Sequence, residues 1–235
     1  MPALVLFDLD GTLVDGAGLP SAMRATCEAI AAEVPGVSPD ELVAANTAVW
    51  QRRWPEVEDD YMLGGRAGEE IGREAWRETL AECGLEDPAL LERAWSEWRR
   101  QERASLRLFP DVLPALDRLA AEGIRVGMVT NGSGAVQRGK LDAVGLTGRF
   151  DPLTVSSEAG VKKPDPAVFA VALAAAGIGP EDVWFVGDNL WHDMPGALET
   201  GIRGVWLDRA GVALPPDGPR PDAVIRSLDE LLPER

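Results

Sequence analysis

The chain has 235 residues, enough for one α/β domain with a sizeable insertion or for two small domains. Its formal net charge of −16 argues against nucleic acid and anionic membrane surfaces as partners, because both require a basic footprint. The N-terminal apolar run lacks a basic segment and stops at Asp8, so it predicts neither a signal peptide nor a membrane span. We therefore expect a cytoplasmic protein, a monomer or homodimer, in which Cys27 and Cys83 are free thiols.

Two carboxylates lie one residue apart after the first predicted strand. The run Ala3–Phe7 is apolar at every position, which is typical of a strand buried on both faces of a parallel sheet. Gly11 breaks the pattern, so Asp8 and Asp10 are expected at the carboxyl edge, where open α/β sheets bind ligands. Mg²⁺ would relieve the repulsion between them, since it prefers oxygen ligands. The pair favours a nucleophile at Asp8 and a proton donor at Asp10, although an acidic turn or part of a calcium loop has the same residues.

Residues 16–106 have a helical hydrophobic period and no strand candidate. The predicted helices run over Ser21–Val34, Pro39–Trp54, Arg66–Cys83 and Pro88–Ala104. Tyr61 is expected in a glycine-rich turn after the second of these helices. Packing within a small helical bundle accounts for most of the tryptophans in this segment. The pattern therefore predicts an all-helical insertion between the first two strands of an α/β domain.

A polar segment follows the next long strand. The apolar strand predicted over Ile124–Val129 leads into Thr130, Asn131 and two small residues, ahead of a helix predicted over Ala135–Val144. Side-chain donors and helix N–H groups at such a turn form an anion site, although simple helix capping uses the same residues. Lys140 ends a near match to a P-loop, but the position after it is not the required Ser or Thr.

A third acidic segment follows the strand predicted over Val183–Val186. Asp188 lies at the strand tip, and Asp193 precedes a helix predicted over Met194–Thr200. Asp188 can complete a Mg²⁺ site that Asp8 begins. Asp193 can hold a metal-bound water or orient a neighbouring lysine. Taken alone, a Gly-Asp turn of this kind is also a common structural feature.

Together these segments resemble a known family. Asp8–Val14 resembles the first motif of the haloacid dehalogenase superfamily, most of whose members are Mg-dependent phosphohydrolases. Thr130 is similar to the second-motif residue that binds phosphoryl oxygens, and Asp188 with Asp193 to the fourth motif. Lys163, which precedes a proline, is similar to the third-motif lysine that neutralises charge on the transferring phosphoryl group. Without the other motifs, it would be interpreted as a surface lysine.

The resemblance implies a fold as well as a chemistry. The expected class is α/β, with a doubly wound, Rossmann-like parallel sheet as the catalytic core. Residues 1–15 and 107–235 would form this core, and residues 16–106 an all-helical cap of the C1 type, inserted after the first strand.

The implied reaction is Mg-dependent hydrolysis of a phosphate monoester through an aspartyl-phosphate. Asp8, the backbone carbonyl of Asp10 and Asp188 would hold Mg²⁺, with Thr12 and Asp193 supporting them. Asp8 would attack phosphorus, and Asp10 would protonate the leaving alcohol and then activate water.

Thr130, Asn131 and Lys163 would hold the phosphoryl oxygens in this reaction. The substrate would be a small phosphorylated metabolite, such as a nucleoside monophosphate or a sugar phosphate.

Three other activities remain open. A 2-haloacid dehalogenase shares the fold and nucleophile, but in that branch the position of Asp10 is not an acid. A sugar phosphomutase shares all the core residues. A non-enzymatic phospho-acceptor would bind Mg²⁺ and phosphate without turnover, and the acid pair Asp8 and Asp10 argues against it.

Overall fold

The structure is a computed structural model and describes residues 1–232. The strands are β1 (Leu4–Phe7), β2 (Val14–Asp15), β3 (Arg107–Leu108), β4 (Arg125–Thr130), β5 (Leu153–Val155), β6 (Val183–Gly187), β7 (Arg203–Leu207) and β8 (Ala223–Ile225). The helices are α1 (Leu19–Glu33), α2 (Pro39–Leu63), α3 (Gly68–Glu82), α4 (Pro88–Ser105), α5 (Val112–Ala121), α6 (Gly134–Ala143), α7 (Ser156–Ala159), α8 (Pro166–Ala176) and α9 (Leu190–Glu199).

The chain divides into two compact units. One, here the core unit, consists, among the described residues, of 1–15 and 107–232. The other, here the helical unit, is Gly16–Leu106. The division falls at the ends of the helical segment, where the hydrophobic period changes.

The core unit contains a parallel sheet in the order β5-β4-β1-β6-β7-β8. From β1 the chain builds outward to β4 and β5, then returns to the other side of β1 and adds β6, β7 and β8. This is the strand order of a doubly wound Rossmann-like sheet, whose direction of winding reverses beside the first strand. The predicted fold class is therefore confirmed.

The apolar residues of β1 are buried on both faces of this sheet. Leu4 and Leu6 lie in a core cluster with Phe169 of α8 and Met194 of α9. Their alternating neighbours in β1 point to the opposite face and are also fully buried. Burial on both faces explains why β1 has no polar residue before Asp8.

A short antiparallel pair, β2 and β3, was not predicted. Val14 pairs with Leu108, and Asp15 pairs with Arg107. The two strands lie where the chain leaves the core unit and where it returns. Within the core unit, their pairing joins the two chain segments that border residues 16–106 in sequence.

The helical unit packs α1, α2, α3 and α4 around its own apolar core. Trp76 and Trp95 are buried in this core with Cys27 and Ile30, and Trp98 packs against it at the edge. Ser38 and Glu41 form a capping box that begins α2. The bundle interior thus accounts for the tryptophans of α3 and α4, as predicted.

The prediction that the second helix ends at Trp54 was wrong. Helix α2 continues through Pro55 to Leu63 and ends at Gly64, which has a φ of 81°. A proline inside a helix removes one backbone hydrogen bond. Tyr61 therefore lies in the helix and not in a turn, with its ring 5.7 Å from that of Trp54 two turns earlier.

Within residues 1–232, no helix combines the length and apolarity needed to cross a membrane.

Candidate active site

The candidate site residues of the core unit lie together at the carboxyl edge of its sheet. Strand β1 pairs in parallel with β4 on one side and with β6 on the other. Asp8 directly follows β1, Thr130 ends β4, and Asp188 directly follows β6. The edge thus carries two carboxylates and a hydroxyl from three adjacent strands.

Lys163 lies buried between two aspartates. Its Nζ is 2.7 Å from Asp8 Oδ1 and 2.7 Å from Asp193 Oδ1, and its side chain is 3% exposed. The ammonium also lies 5.3 Å from the centre of the Phe185 ring. A buried cation of this kind is stable only with close anionic partners, and both are present here.

Burial and neighbouring charges shift the pKa values of this cluster. Burial, reinforced by Asp193 and Asp10, raises the pKa of Asp8 to about 6, although Lys163 opposes the shift. Burial alone would lower the pKa of Lys163, but Asp193 and Asp8 together raise it above its usual value. The lysine therefore remains a cation in the site.

Asp8, Asp188 and Asp193 form an acidic cluster whose carboxylate oxygens lie within 4.8 Å of one another. Burial and the charge of Asp8 raise the pKa of Asp188. Asp193 has both oxygens occupied, since Oδ1 accepts from Lys163 and Oδ2 accepts from the Asn189 N–H at 2.9 Å. Asp8 and Asp188 are therefore the better candidates for metal binding among the three, and their hard oxygen donors fit a divalent cation such as Mg²⁺.

The position of Asp188 depends on the turn after Asp8. The hydroxyl of Thr12 donates to Asp188 Oδ1 at 2.9 Å, and Arg209 Nη2 donates to the Thr12 carbonyl at 2.8 Å. Gly11 has a φ of +78°, and a Cβ there would lie 2.3 Å from Asp188 Oδ2. Only a glycine lets this turn approach the carboxylate so closely.

The helix that carries Asp193 begins earlier than predicted. Asn189 caps α9 by accepting from the N–H groups of Trp191 and His192, each at 3.1 Å. Asp193 therefore lies in the first turn of α9 and not ahead of it, which directs its carboxylate back towards Lys163 and the Asn189 N–H.

Asn131 contacts the main chain of Lys163. Its Nδ2 donates to the Lys163 carbonyl at 2.9 Å, and its Oδ1 accepts from the Lys163 N–H at 2.9 Å. The neighbouring Thr130 is buried, and its Oγ1 accepts from Gln137 Nε2 at 2.7 Å. The segment after β4 thus fixes the loop that carries the buried lysine.

Two backbone N–H groups in the turn after β4 have partners on the neighbouring helix α7. The N–H groups of Gly132 and Gly134 each donate to a serine hydroxyl, Ser156 and Ser157 respectively, at 2.9 Å. These serines lie on α7, which the sequence pattern did not indicate as a helix. These two N–H groups are therefore already satisfied within the protein.

Asp10 has partners that the sequence analysis missed. Lys140 Nζ lies 2.8 Å from Asp10 Oδ1 and 2.7 Å from Oδ2, and Gln137 Nε2 donates to Oδ2 at 3.0 Å. Lys140 and Gln137 lie on α6, in the segment that resembles a P-loop. One signal was available: Lys140 and Gln137 are three residues apart on a helix, so they share a face.

Comparisons with known proteins identify relatives of this chain. The phosphoserine phosphatase of Thermus thermophilus is 32% identical to this chain over 250 aligned positions, with 97% of each protein covered. The N-acylneuraminate-9-phosphatase of Homo sapiens is 27% identical over 245 positions, covering 97% of this chain and 91% of the relative. A solved structure of 2-haloacid dehalogenase from Pseudomonas syringae is similar with a TM-score of 0.71 and 28% identity, covering 98% of this chain and 96% of the other.

A sequence profile described as haloacid dehalogenase-like hydrolase matches residues 2–201. The match contains the ends of β1, β4 and β6, which carry Asp8, Thr130 and Asp188, and the loop that carries Lys163. By the extent of this match, the chain is an enzyme of the haloacid dehalogenase-like hydrolase family.

Proposed function

We propose that this protein is a Mg-dependent phosphate monoester hydrolase that acts through an aspartyl-phosphate on Asp8. The observation that carries the proposal is the buried Lys163 ammonium, 2.7 Å from the Asp8 carboxylate, beside a second acid at Asp10. A cation at the nucleophile offsets the charge of an incoming phosphate dianion. The overall acidity of the chain makes such a local cation necessary.

Asp8 is the nucleophile in this proposal. Its carboxylate attacks phosphorus, the bond from phosphorus to the ester oxygen breaks, and the phosphoryl group is transferred to Asp8. Water then attacks the aspartyl-phosphate, which releases inorganic phosphate and restores the carboxylate. Thr130 and Lys163 hold the phosphoryl oxygens during both steps.

Asp10 transfers the protons of both steps. It donates a proton to the leaving oxygen in the first step and takes a proton from the attacking water in the second. Its side chain is 48% exposed, so it is far more accessible than the 3% exposed Lys163. This accessibility suits a group that must reach the leaving part of a substrate.

Asp8, Asp188 and the backbone carbonyl of Asp10 are the proposed Mg²⁺ ligands. The raised pKa values of Asp8 and Asp188 support this assignment, because a bound cation would favour the ionised forms that burial disfavours. When bound, Mg²⁺ would neutralise phosphoryl oxygen charge. Asp193 and Thr12 hold Lys163 and Asp188 respectively.

The positioning of Lys163 is the proposed role of Asn131. Both polar atoms of its side chain already contact the Lys163 main chain. We therefore favour this role over the direct phosphate contact that the sequence motif implies.

A small phosphorylated metabolite is the proposed substrate, with the helical unit as a C1-type cap. Two relatives that align over most of this chain are named phosphoserine phosphatase and N-acylneuraminate-9-phosphatase. Both names describe enzymes that act on a phosphate monoester of a small metabolite. The dehalogenase activity of the structural neighbours is less well supported, because Asp10 is the proton donor that hydrolysis of a phosphate ester needs.

Steady-state hydrolysis of p-nitrophenyl phosphate tests the proposal. We expect turnover with Mg²⁺, none with EDTA, and a loss of at least about 1,000-fold in Asp8→Asn, because this change removes the nucleophile. Asp15→Asn, at the end of β2, is the matched control and should retain activity. Turnover that survives in EDTA or in Asp8→Asn would contradict the proposal, as would chloride release from a 2-haloacid without phosphatase activity.

A further inference from the structure

Two side chains of α6, those of Lys140 and Gln137, contact the carboxylate of Asp10. Lys140 contacts both oxygens of the Asp10 carboxylate, at 2.8 Å and 2.7 Å. Gln137 donates to one of the same oxygens at 3.0 Å. Lys140 itself is only 17% exposed, so its ammonium lies against Asp10 and does not extend into solvent.

Gln137 links Asp10 to the residue that ends β4. Gln137 is 1% exposed, and its Nε2 lies 3.0 Å from Asp10 Oδ2, 2.7 Å from Thr130 Oγ1 and 3.2 Å from the Asn131 carbonyl, three acceptors that share its two hydrogens. An amide nitrogen is a donor only, so the Thr130 hydroxyl must act as the acceptor in this contact. The hydroxyl hydrogen of Thr130 is therefore available for another acceptor, such as a phosphoryl oxygen.

The helix makes this double contact possible. Gln137 and Lys140 are three residues apart on α6, so their side chains leave the same helical face. The chain has three lysines, and the structure places two of them, Lys140 and Lys163, in direct contact with the acids that follow β1.

We propose that Gln137 and Lys140 are positioning residues that hold the Asp10 carboxylate for proton transfer, a role that rests on the proposed function. Together they fix Asp10 relative to Thr130, which holds the phosphoryl group. In the first step the Asp10 proton goes to the leaving oxygen as its bond to phosphorus breaks. In the second step a proton of the attacking water goes to Asp10 as the new bond to phosphorus forms. Neither Gln137 nor Lys140 gains or loses a proton.

A series of aryl phosphates with different leaving groups isolates this role. A poor leaving group such as phenol needs the proton from Asp10, whereas 2,4-dinitrophenol leaves readily without it. We expect Lys140→Met to lower kcat/KM roughly ten- to hundredfold for phenyl phosphate and by less than about threefold for 2,4-dinitrophenyl phosphate. Inhibition by inorganic phosphate should change little, because Lys140 contacts Asp10 and not the Lys163 site.

Arg138→Met is the matched control for the loss of a cation from α6. Arg138 pairs with Glu158 at 2.7 Å on an exposed surface, so its removal should leave the leaving-group dependence unchanged. Lys140→Arg keeps the cation and should restore much of the turnover of phenyl phosphate. Gln137→Met should steepen the leaving-group dependence and also weaken inhibition by phosphate, because Gln137 contacts Thr130 as well as Asp10.

A double-mutant comparison separates positioning from a general structural effect. In an Asp10→Asn background, Lys140→Met should cause no further loss with phenyl phosphate, because the group that Lys140 positions is absent. Three results would overturn the proposal: additive losses of kcat/KM in the double mutant, an equal loss for every aryl phosphate in Lys140→Met, or no loss in Lys140→Met. Wild-type protein that hydrolyses no aryl phosphate would instead overturn the proposed function. The two failures are therefore distinguishable.

Discussion

Asn131 pairs with the main chain of Lys163 in both directions, as donor to its carbonyl and acceptor from its N–H, each at 2.9 Å. The two residues are 32 positions apart in sequence. This double contact fixes the backbone from which the Lys163 ammonium reaches Asp8 and Asp193. The structural role of Asn131 is therefore to hold the main chain that carries this lysine.

Asn131→Ala should lower kcat/KM for an aryl phosphate by roughly tenfold or more, because the Lys163 backbone loses both hydrogen bonds. Calorimetric titration of the Mg-loaded protein with inorganic phosphate gives a second measurement. In a Lys163→Met background, Asn131→Ala should not weaken phosphate binding further. A further loss there would mean that Asn131 contacts phosphate directly.

Gly11→Ala should weaken Mg²⁺ binding, since the new Cβ would lie 2.3 Å from an oxygen of Asp188, a proposed metal ligand. The increase in the thermal midpoint on adding Mg²⁺ measures this effect. Gly123→Ala is the matched control, because Gly123 has a similar φ of +71° but no heavy atom within 4 Å of the position that a Cβ would occupy. Both changes should cost roughly 1–2 kcal/mol in backbone strain, because an L side chain is disfavoured at positive φ, and only Gly11→Ala should lose the response to Mg²⁺. An equal response in the two variants would contradict this placement of Asp188.

Asp111→Asn should lower the free energy of unfolding by about 2 kcal/mol at pH 7, because it leaves Arg209 without its bidentate partner. The two Arg209 nitrogens lie 2.9 Å and 3.0 Å from the Asp111 oxygens. Urea unfolding of the wild type and the variant measures the difference. Asp117→Asn is the control, since Asp117 is 76% exposed and pairs with Arg149 at 3.6 Å, and should change stability by less than about 0.5 kcal/mol.

The stabilisation by Asp111 should depend on pH. Burial alone would raise its pKa, but hydrogen bonds from Arg209, Leu228 and Ser227 hold the pKa below the ordinary value of 3.8. The folded protein therefore favours the ionised carboxylate, so the stabilisation is present above pH 3.8 and is lost as the pH falls through the lower folded pKa. A difference between wild type and Asp111→Asn that grows on acidification would contradict this assignment.

Cys83 should react with a thiol reagent much faster than Cys27 in the native protein at pH 8. Cys27 is fully buried in the core of the helical unit, and burial raises the pKa of its thiol to about 12. Cys83 is partly exposed, so its thiolate is more accessible. Ellman titration before and after unfolding, with Cys83→Ser as control, measures both thiols. Fast native labelling of the Cys83→Ser variant would contradict the burial of Cys27.

Local patterns in the sequence determined the fold class and the place of the acids. A strand that is apolar at every position must be buried on both faces, and parallel strands have their carboxyl ends at the same edge of the sheet. These rules were enough to place Asp8 and Asp188 at one edge. They did not predict the course of α2 beyond Pro55, because packing of residues far from the proline decides whether such a helix continues.

The tertiary structure decided which side chains contact one another. Lys140 lies 130 positions from Asp10, and Arg209 lies 98 positions from Asp111. Sequence spacing carries no information about such pairs, because they depend on the strand order and on the face that each helix turns towards the sheet. The sequence by itself thus specified the strand ends that carry the chemistry. Only the fold brought Lys140 and Gln137 to Asp10, because α6 follows a strand that is adjacent to β1 in the sheet but distant from it in the chain.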